Sequence, residues 1–151
     1  MKKSEFSEEE ESYLAEVMKH STSKFTNTLE AVTKSYEPLA IEMIRISTQR
    51  SRDCAFKFNT MSEINSCSEE INDAFQEHQQ SFGQLLQERM KIFGDCAQLP
   101  LEAFKKSKNK SDFERTIDKC TSSFLDGLER KMTDLAHSGL NKMRSLNAKL
   151  I

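Results

Sequence analysis

Apolar residues recur every three or four positions along most of the chain, which is the period of one face of an α-helix. The first stripe follows Ser7 and Glu10, which have the spacing of a capping box at a helix start. It consists of Leu14, Val17, Met18, Ser21, Phe25, Leu29, Val32 and Tyr36. Pro38 comes next, and the residue before a proline avoids helical backbone angles. We therefore predict a first helix over residues 8–36.

Two further stripes follow, with a polar stretch between them. They predict helices over residues 39–58 and 62–97. Thr60 and Glu63 again have capping-box spacing, and polar cap-forming residues cluster around them, which favours a break near 59–62. The stretch contains neither Gly nor Pro, so one continuous helix through both stripes is the alternative.

The last helix is predicted beyond a lysine-rich segment. Gly94 and Pro100 are expected to end the third helix, and one further turn can follow at Leu101–Phe104. Lys105–Lys110 is interpreted as a solvated loop. Ser111 and Glu114 form another capping box, so the last helix is predicted over 112–149.

The stripe of this last helix repeats every eleven residues. Its two series are Phe113, Phe124, Leu135 and Leu146, and Ile117, Leu128, Gly139 and Leu150. Such a repeat gives about 3.67 residues per turn and nearly straight or weakly right-handed helix pairing. The stripe either faces the protein's own core or, past Gly139, runs along a partner. The second interpretation predicts a partner-helix surface of Leu135, Met143, Leu146 and Leu150.

Composition supports long helices with narrow apolar faces. Of the 151 residues, 36% are apolar and 30% charged, with only four glycines and two prolines. We predict an all-α single domain over residues 1–151, built as antiparallel helical hairpins or an elongated bundle of about four helices. Because narrow stripes bury little surface, the chain is expected to need partners, disulfides or both.

The cysteines are symmetric about two predicted turns. The midpoint of Cys54 and Cys67 lies in the polar break, and that of Cys96 and Cys120 in the lysine-rich segment. Positions equidistant from a hairpin turn can approach within the roughly 7 Å between Cα atoms that a disulfide needs. Two hairpin disulfides are therefore predicted. The alternatives are Cys67–Cys96 nested inside Cys54–Cys120, and four buried free thiols.

One segment carries a family resemblance. Cys54-x12-Cys67 followed by Ser68-Glu69-Glu70, with the second pair at Cys96 and Cys120, resembles the twin-cysteine helical-hairpin proteins of the mitochondrial intermembrane space. That group includes coiled-coil-helix proteins and the hinge-type subunit of the cytochrome bc1 complex. The resemblance covers roughly residues 54–120. It implies import without a presequence and a role as an accessory or assembly subunit of a respiratory complex.

Catalytic and ligand-binding patterns are missing from the sequence. There is no C-x-x-C, H-E-x-x-H, phosphate-binding or nucleophile-elbow motif. His78 falls on an apolar stripe and is interpreted as a packing residue. We expect no enzyme activity, no cofactor and no metal.

Charge and hydropathy limit the kinds of partner that we expect for this chain. The net charge is −2, and the only basic run, Lys105–Lys110, is short, so nucleic-acid binding is not expected. No run approaches eighteen apolar residues, so no transmembrane segment is expected. The N-terminal residues lack the apolar run of a secretory signal and the arginines of a usual mitochondrial presequence.

Three functions are compatible with this sequence. The first is a non-catalytic subunit that binds other protein subunits of a mitochondrial respiratory or ATP-synthase complex, on its intermembrane-space side or at its membrane periphery. The second is a cytosolic coiled-coil protein of the cytoskeleton or cilium with reduced cysteines. The third is a free-standing helical bundle that binds an apolar ligand or a peptide helix.

Overall fold

The computed structural model describes residues 6–151, of which 91% are helical and none is in a strand. The helices are α1 (Glu8–Lys57), α2 (Met61–Ser107), α3 (Lys110–Leu125) and α4 (Leu128–Asn147). The predicted all-α class is confirmed.

Two predicted helix starts are present with their capping boxes. The Ser7 hydroxyl accepts from the backbone N–H of Glu10 at 3.2 Å. The Thr60 hydroxyl accepts from the N–H of Glu63 at 3.2 Å and donates to its carboxylate at 2.8 Å. These bonds satisfy amides that a helix start leaves without intrahelical partners. The predicted break near residue 60 is confirmed, and the single helix through it is not formed.

The predicted helix end before Pro38 is wrong, because α1 continues through this proline. A proline inside a helix removes one hydrogen bond and costs about 3 kcal/mol. Pro38 and Lys34, whose carbonyl loses that bond, are both exposed, so water can hydrate the carbonyl. On the opposite side Tyr36 and Leu39 pack against a buried core, which holds both flanking turns in place.

The predicted end of the third helix at residue 97 is also wrong. Helix α2 passes through Pro100 and continues to Ser107. Cys96, one turn before the proline, is bonded to α3, and Phe104, one turn after it, is only 2% exposed. Burial on both sides again outweighs the local cost of the proline.

The lysine-rich loop is shorter than predicted. Only Lys108 and Asn109 separate α2 from α3. The side chain of Asn109 accepts from the N–H of Asp112 at 3.1 Å, so Asn109 caps α3 where Ser111 was predicted to do so. An asparagine two residues earlier than the expected serine satisfies the same helix start.

The predicted continuous helix over 112–149 is divided into α3 and α4. Gly127 adopts φ +65° between them, a left-handed conformation that glycine adopts without the steric cost of a side chain. The buried stripe beyond this break is Leu128, Met132, Ala136, Leu140 and Met143. The eleven-residue repeat therefore does not describe the buried face of α4, because Leu135 and Gly139 flank it.

The chain forms two compact units. The first contains the described part of Met1–Ala31 together with Gln87–Leu128. In it α1 lies parallel to α3, with Ser21 beside Thr121, and α2 lies antiparallel to α3, with Phe104 beside Phe113. Its buried core consists of Ala97, Phe104, Phe113 and Ile117. This unit is a three-helix bundle.

The second unit contains Val32–Leu86 and Glu129–Ile151. Here α1 lies antiparallel to α2, with Ser47 bonded to Asn72, and parallel to α4, with Ser35 facing Glu129. Its core consists of Met43, Ile46, Ile71, Ala74, Ala136, Leu140 and Met143. The second unit is also a three-helix bundle, and the single domain over residues 1–151 stays a prediction.

Candidate functional site

Both predicted hairpin disulfides are present. Cys54 near the end of α1 pairs with Cys67 in α2, with Cα atoms 5.8 Å apart, in the second unit. Cys96 in α2 pairs with Cys120 in α3, with Cα atoms 5.7 Å apart, in the first unit. Neither the nested pairing nor free thiols are found among the four cysteines.

Each disulfide has one fully buried half. Cys54 and Cys120 are 0% exposed, whereas Cys67 and Cys96 are half-buried. The bonds therefore lie at the border between core and surface, where they tie adjacent helices together near their connecting turns. Cys54 and Cys120 therefore serve both as core residues and as halves of covalent links.

The four residues of the predicted partner surface lie in different environments. Met143 is fully buried in the core of the second unit, and Leu146 packs against that core. Leu135 is half-buried and lines a shallow groove with Leu85, Lys131 and Asp134. Leu150 is fully exposed. Met143 is thus used within the chain itself, and the structure does not bring the four together on one face.

A buried polar cluster surrounds His78 in the second unit. The Tyr36 hydroxyl lies 2.8 Å from His78 Nε2, and the ring also bonds to the backbone carbonyl of Leu135. The rings of Tyr36 and His78 stack with centroids 5.9 Å apart. On α4, Gly139 leaves room for the imidazole. His78 is 5% exposed, as its place on the apolar stripe predicted, but no sequence pattern indicated these partners.

The polar environment of His78 changes its protonation. Burial lowers the pKa of His78 below its ordinary value of 6.5, opposed by the hydrogen bond to Leu135. Burial also raises the pKa of Tyr36. Both side chains are therefore held in their neutral forms at neutral pH, with the tyrosine O–H donating to the neutral imidazole.

We expect stability to decrease as the pH falls below about 6.5. Because the folded-state pKa of His78 is depressed, the unfolded chain takes up the proton first. The stabilisation that neutral His78 contributes is complete above the pKa of His78 in the unfolded chain. It is lost as the pH falls towards the lower pKa of His78 in the folded chain. The measurement is the thermal unfolding midpoint between pH about 7.5 and 5.5, above the range in which carboxylates usually titrate. His78→Gln, which keeps a donor and an acceptor, should flatten this dependence.

The control for this prediction is His137→Gln, because His137 is exposed on α4. It should leave the pH dependence unchanged. Equal slopes for the wild type and His78→Gln would show that other groups cause the dependence.

Arg50 is a buried residue whose role the sequence analysis did not predict. It is 9% exposed, and its Nη1 donates to the carbonyl oxygen of Lys149 at 2.8 Å, just past the end of α4. A cation is favourable there because helix C-termini carry unpaired carbonyls and partial negative charge. Its spacing in the sequence, four residues before Cys54 and seven after Met43, could have indicated that Arg50 lies on the buried face of α1.

A polar groove of about 320 Å³ lies in the first unit, lined by Tyr13, Glu16, Val17, His20, Glu114 and Asp118. The Tyr13 hydroxyl donates to Glu114 at 2.9 Å, and burial together with this carboxylate raises the pKa of Tyr13 to about 12. Lys24 pairs with Asp118 at 3.0 Å. Within the groove, Tyr13 and Glu114 are thus bonded to each other, and Asp118 is paired with Lys24 on α1.

Within residues 6–151 no group of three or more His, Cys, Asp or Glu side chains is placed to hold a metal ion. None of the helices formed by those residues is long and apolar enough to cross a bilayer.

Comparison with protein-family models, with curated proteins and with solved structures finds no match for this chain.

Proposed function

We propose that this chain is a non-catalytic structural subunit of a larger protein assembly in an oxidising compartment. The leading location is the intermembrane-space side of a mitochondrial respiratory or ATP-synthase complex. The observation that carries the proposal is the presence of one disulfide in each helical unit, at Cys54–Cys67 and at Cys96–Cys120.

The disulfides favour an oxidising compartment for a physical reason. Cytosolic thiol systems keep most cysteines reduced, whereas disulfides persist in oxidising compartments. Each cross-link spans a short segment, with sequence separations of 13 and 24 residues. Closing loops of this size stabilises a protein by about 3 kcal/mol each in the chain-entropy model. Such cross-links add stability to a chain whose helices bury little apolar surface because their apolar faces are narrow.

A structural role is supported by how the polar side chains are used. Ion pairs join neighbouring helices of one unit at Lys24–Asp118, Lys108–Glu10 and Lys142–Glu77. The polar cluster around His78 is closed by Tyr36 and Gly139. These groups fix helix positions, and several large apolar side chains remain on the surface for other proteins to cover.

The experiment is a thiol count on the protein isolated natively from its source. The protein is alkylated before and after reduction, and its mass is measured each time. We expect no alkylated cysteine before reduction and four after it. Four alkylated thiols before reduction would overturn the oxidising compartment and favour the cytosolic coiled-coil alternative.

The assembly itself is tested separately by native electrophoresis of the same extract. The chain has a mass of 17.4 kDa, and we expect it to migrate with a much larger complex. Migration of all the protein at the mass of a monomer would contradict a subunit role and favour a free-standing bundle.

A further inference from the structure

The two sulfurs of each disulfide differ in their access to solvent. Cys54 and Cys120 are 0% exposed, whereas their partners Cys67 and Cys96 are half-buried. In other respects the two bonds are alike, because each joins adjacent helices of one unit, with Cα atoms 5.8 Å and 5.7 Å apart. Access from solvent is therefore the property that distinguishes one sulfur of each bond from the other.

The half-buried cysteines lie beside exposed side chains of α2. Glu63 and Glu70, one turn before and one turn after Cys67, are both exposed. Leu99, one turn after Cys96, is 77% exposed. Solvent and small solutes therefore reach the surface next to these two cysteines.

This asymmetry determines which sulfur a dissolved thiol attacks. A thiolate attacks a disulfide sulfur from the side opposite the sulfur–sulfur bond, because the electron pair of that bond leaves with the far sulfur. Approach from solvent reaches Cys67 with Cys54 as the far sulfur, and Cys96 with Cys120 as the far sulfur. Attack on the other sulfur would have to begin inside the core, since Cys54 and Cys120 have no exposed surface.

We propose that Cys67 and Cys96 are the sites at which small thiols of the glutathione type form mixed disulfides with this chain. The glutathione thiol loses its proton, and the thiolate bonds to Sγ of Cys67 or Cys96. The native sulfur–sulfur bond breaks, and Cys54 or Cys120 leaves as a thiolate that takes up a proton.

The same mixed disulfides form when the reduced chain is oxidised by glutathione disulfide. Cys67 or Cys96 attacks as a thiolate and expels one glutathione thiolate. The buried cysteine of the pair then attacks the mixed disulfide and expels the second glutathione, which closes the native bond. One accessible cysteine in each pair thus carries the intermediate in both directions.

Burial of the far sulfur also slows the exchange. A thiolate released inside a core has lost its hydration, which makes it a poor leaving group. Both links should therefore react more slowly in the folded chain than in the unfolded chain. This inference depends on the two disulfides, but neither on the compartment nor on the assembly proposed above.

The first test uses the full chain with both disulfides formed. It is treated with reduced glutathione, quenched with acid, and its free thiols are alkylated. The four cysteines lie on separate tryptic peptides, 53–57, 58–89, 92–105 and 120–130, so mass spectrometry assigns each adduct. We expect glutathione on 58–89 and 92–105, and the alkyl group on the other two. In concentrated urea, where both sulfurs are exposed, this preference should disappear.

Matched single variants measure the same difference as a rate. Cys54→Ser leaves Cys67 as a free thiol and Cys67→Ser leaves Cys54, while the other disulfide stays intact. We expect glutathione disulfide to modify Cys54→Ser at least about tenfold faster than Cys67→Ser, because a buried thiol reacts only when the structure opens locally. Cys120→Ser should likewise react faster than Cys96→Ser. Circular dichroism identifies any variant that is unfolded, for which the wild-type peptide map decides.

Two results would overturn the proposal. One is glutathione on peptides 53–57 and 120–130 as often as on the other two in the folded wild type. The other is equal rates within both pairs of folded variants. Four free thiols in the natively isolated protein would count against the proposed compartment alone, because the exchange is measured on the chain oxidised in vitro.

Discussion

The Cys96→Ala/Cys120→Ala double variant is expected to unfold with a free energy about 3 kcal/mol lower than that of the wild type. The disulfide joins α2 to α3 across a sequence separation of 24 residues, so its removal increases the conformational freedom of the unfolded chain. Cys120 is also fully buried, and its replacement by alanine removes packing atoms from the core. Urea unfolding followed by circular dichroism measures the difference.

The second disulfide provides a comparison. Cys54→Ala/Cys67→Ala should lose a similar amount, because the separation is 13 residues and Cys54 is likewise fully buried. The control is the variant with all four cysteines replaced, whose unfolding curve should not respond to a reducing agent. An oxidised and a reduced wild type with the same urea midpoint would contradict both predictions.

Alanine substitution of two glycines is expected to have opposite effects. Gly83→Ala should raise the free energy of unfolding by up to about 1 kcal/mol, because alanine is the better helix former and no side chain or neighbouring helix lies within 4 Å of the added methyl. Gly139→Ala should lower it by about 1–3 kcal/mol, the usual effect of overpacking. Its methyl would lie 3.0–3.3 Å from three atoms of His78. The same urea experiment measures both variants.

The sign at Gly139 depends on whether His78 can move. The imidazole is held by Tyr36 on one side and by the Leu135 carbonyl on the other, so a shift of a few tenths of an ångström strains both hydrogen bonds. In a His78→Ser background the added methyl has space, and Gly139→Ala should there behave like Gly83→Ala. A stabilising Gly139→Ala in the wild-type background would show that the ring moves freely.

These two predictions concern the features that keep the helices in register. The disulfides fix neighbouring helices near their turns, and the His78 cluster determines how closely α4 approaches α2 within the second unit. If the chain is a structural subunit, damage to either should release it from its assembly while leaving its helical content largely intact.

The sequence by itself determined the class of fold and the turn near residue 60, and it predicted the cysteine pairing that is found while leaving the nested pairing and free thiols as alternatives. Capping boxes at Ser7 and Thr60 are local features, since each depends on side chains three residues apart and on the backbone between them. The pairing followed from symmetry about a turn, because antiparallel helices place equidistant positions opposite each other. Cys54–Cys67 and Cys96–Cys120 both obey this rule.

The tertiary structure alone decided where the helices end. Local preference predicted ends before Pro38 and Pro100, but burial of neighbouring turns outweighs a cost of about 3 kcal/mol per proline. Conversely, the apolar stripe is continuous in the sequence, but the helix is interrupted at Gly127. The φ of +65° at Gly127 lets α4 begin with a different face inward. Ala136 and Leu140 consequently lie in the core in place of Leu135 and Gly139.

Long-range contacts also decided which side chains are available for partners. The sequence assigned Met143 and Leu150 alike to the predicted partner-helix surface, yet Met143 is fully buried and Leu150 fully exposed. Periodicity identifies a face of a helix but not what covers it. The packing of three helices from distant parts of the chain settles that, and it likewise brings Tyr36, His78 and Gly139 together from three separate helices.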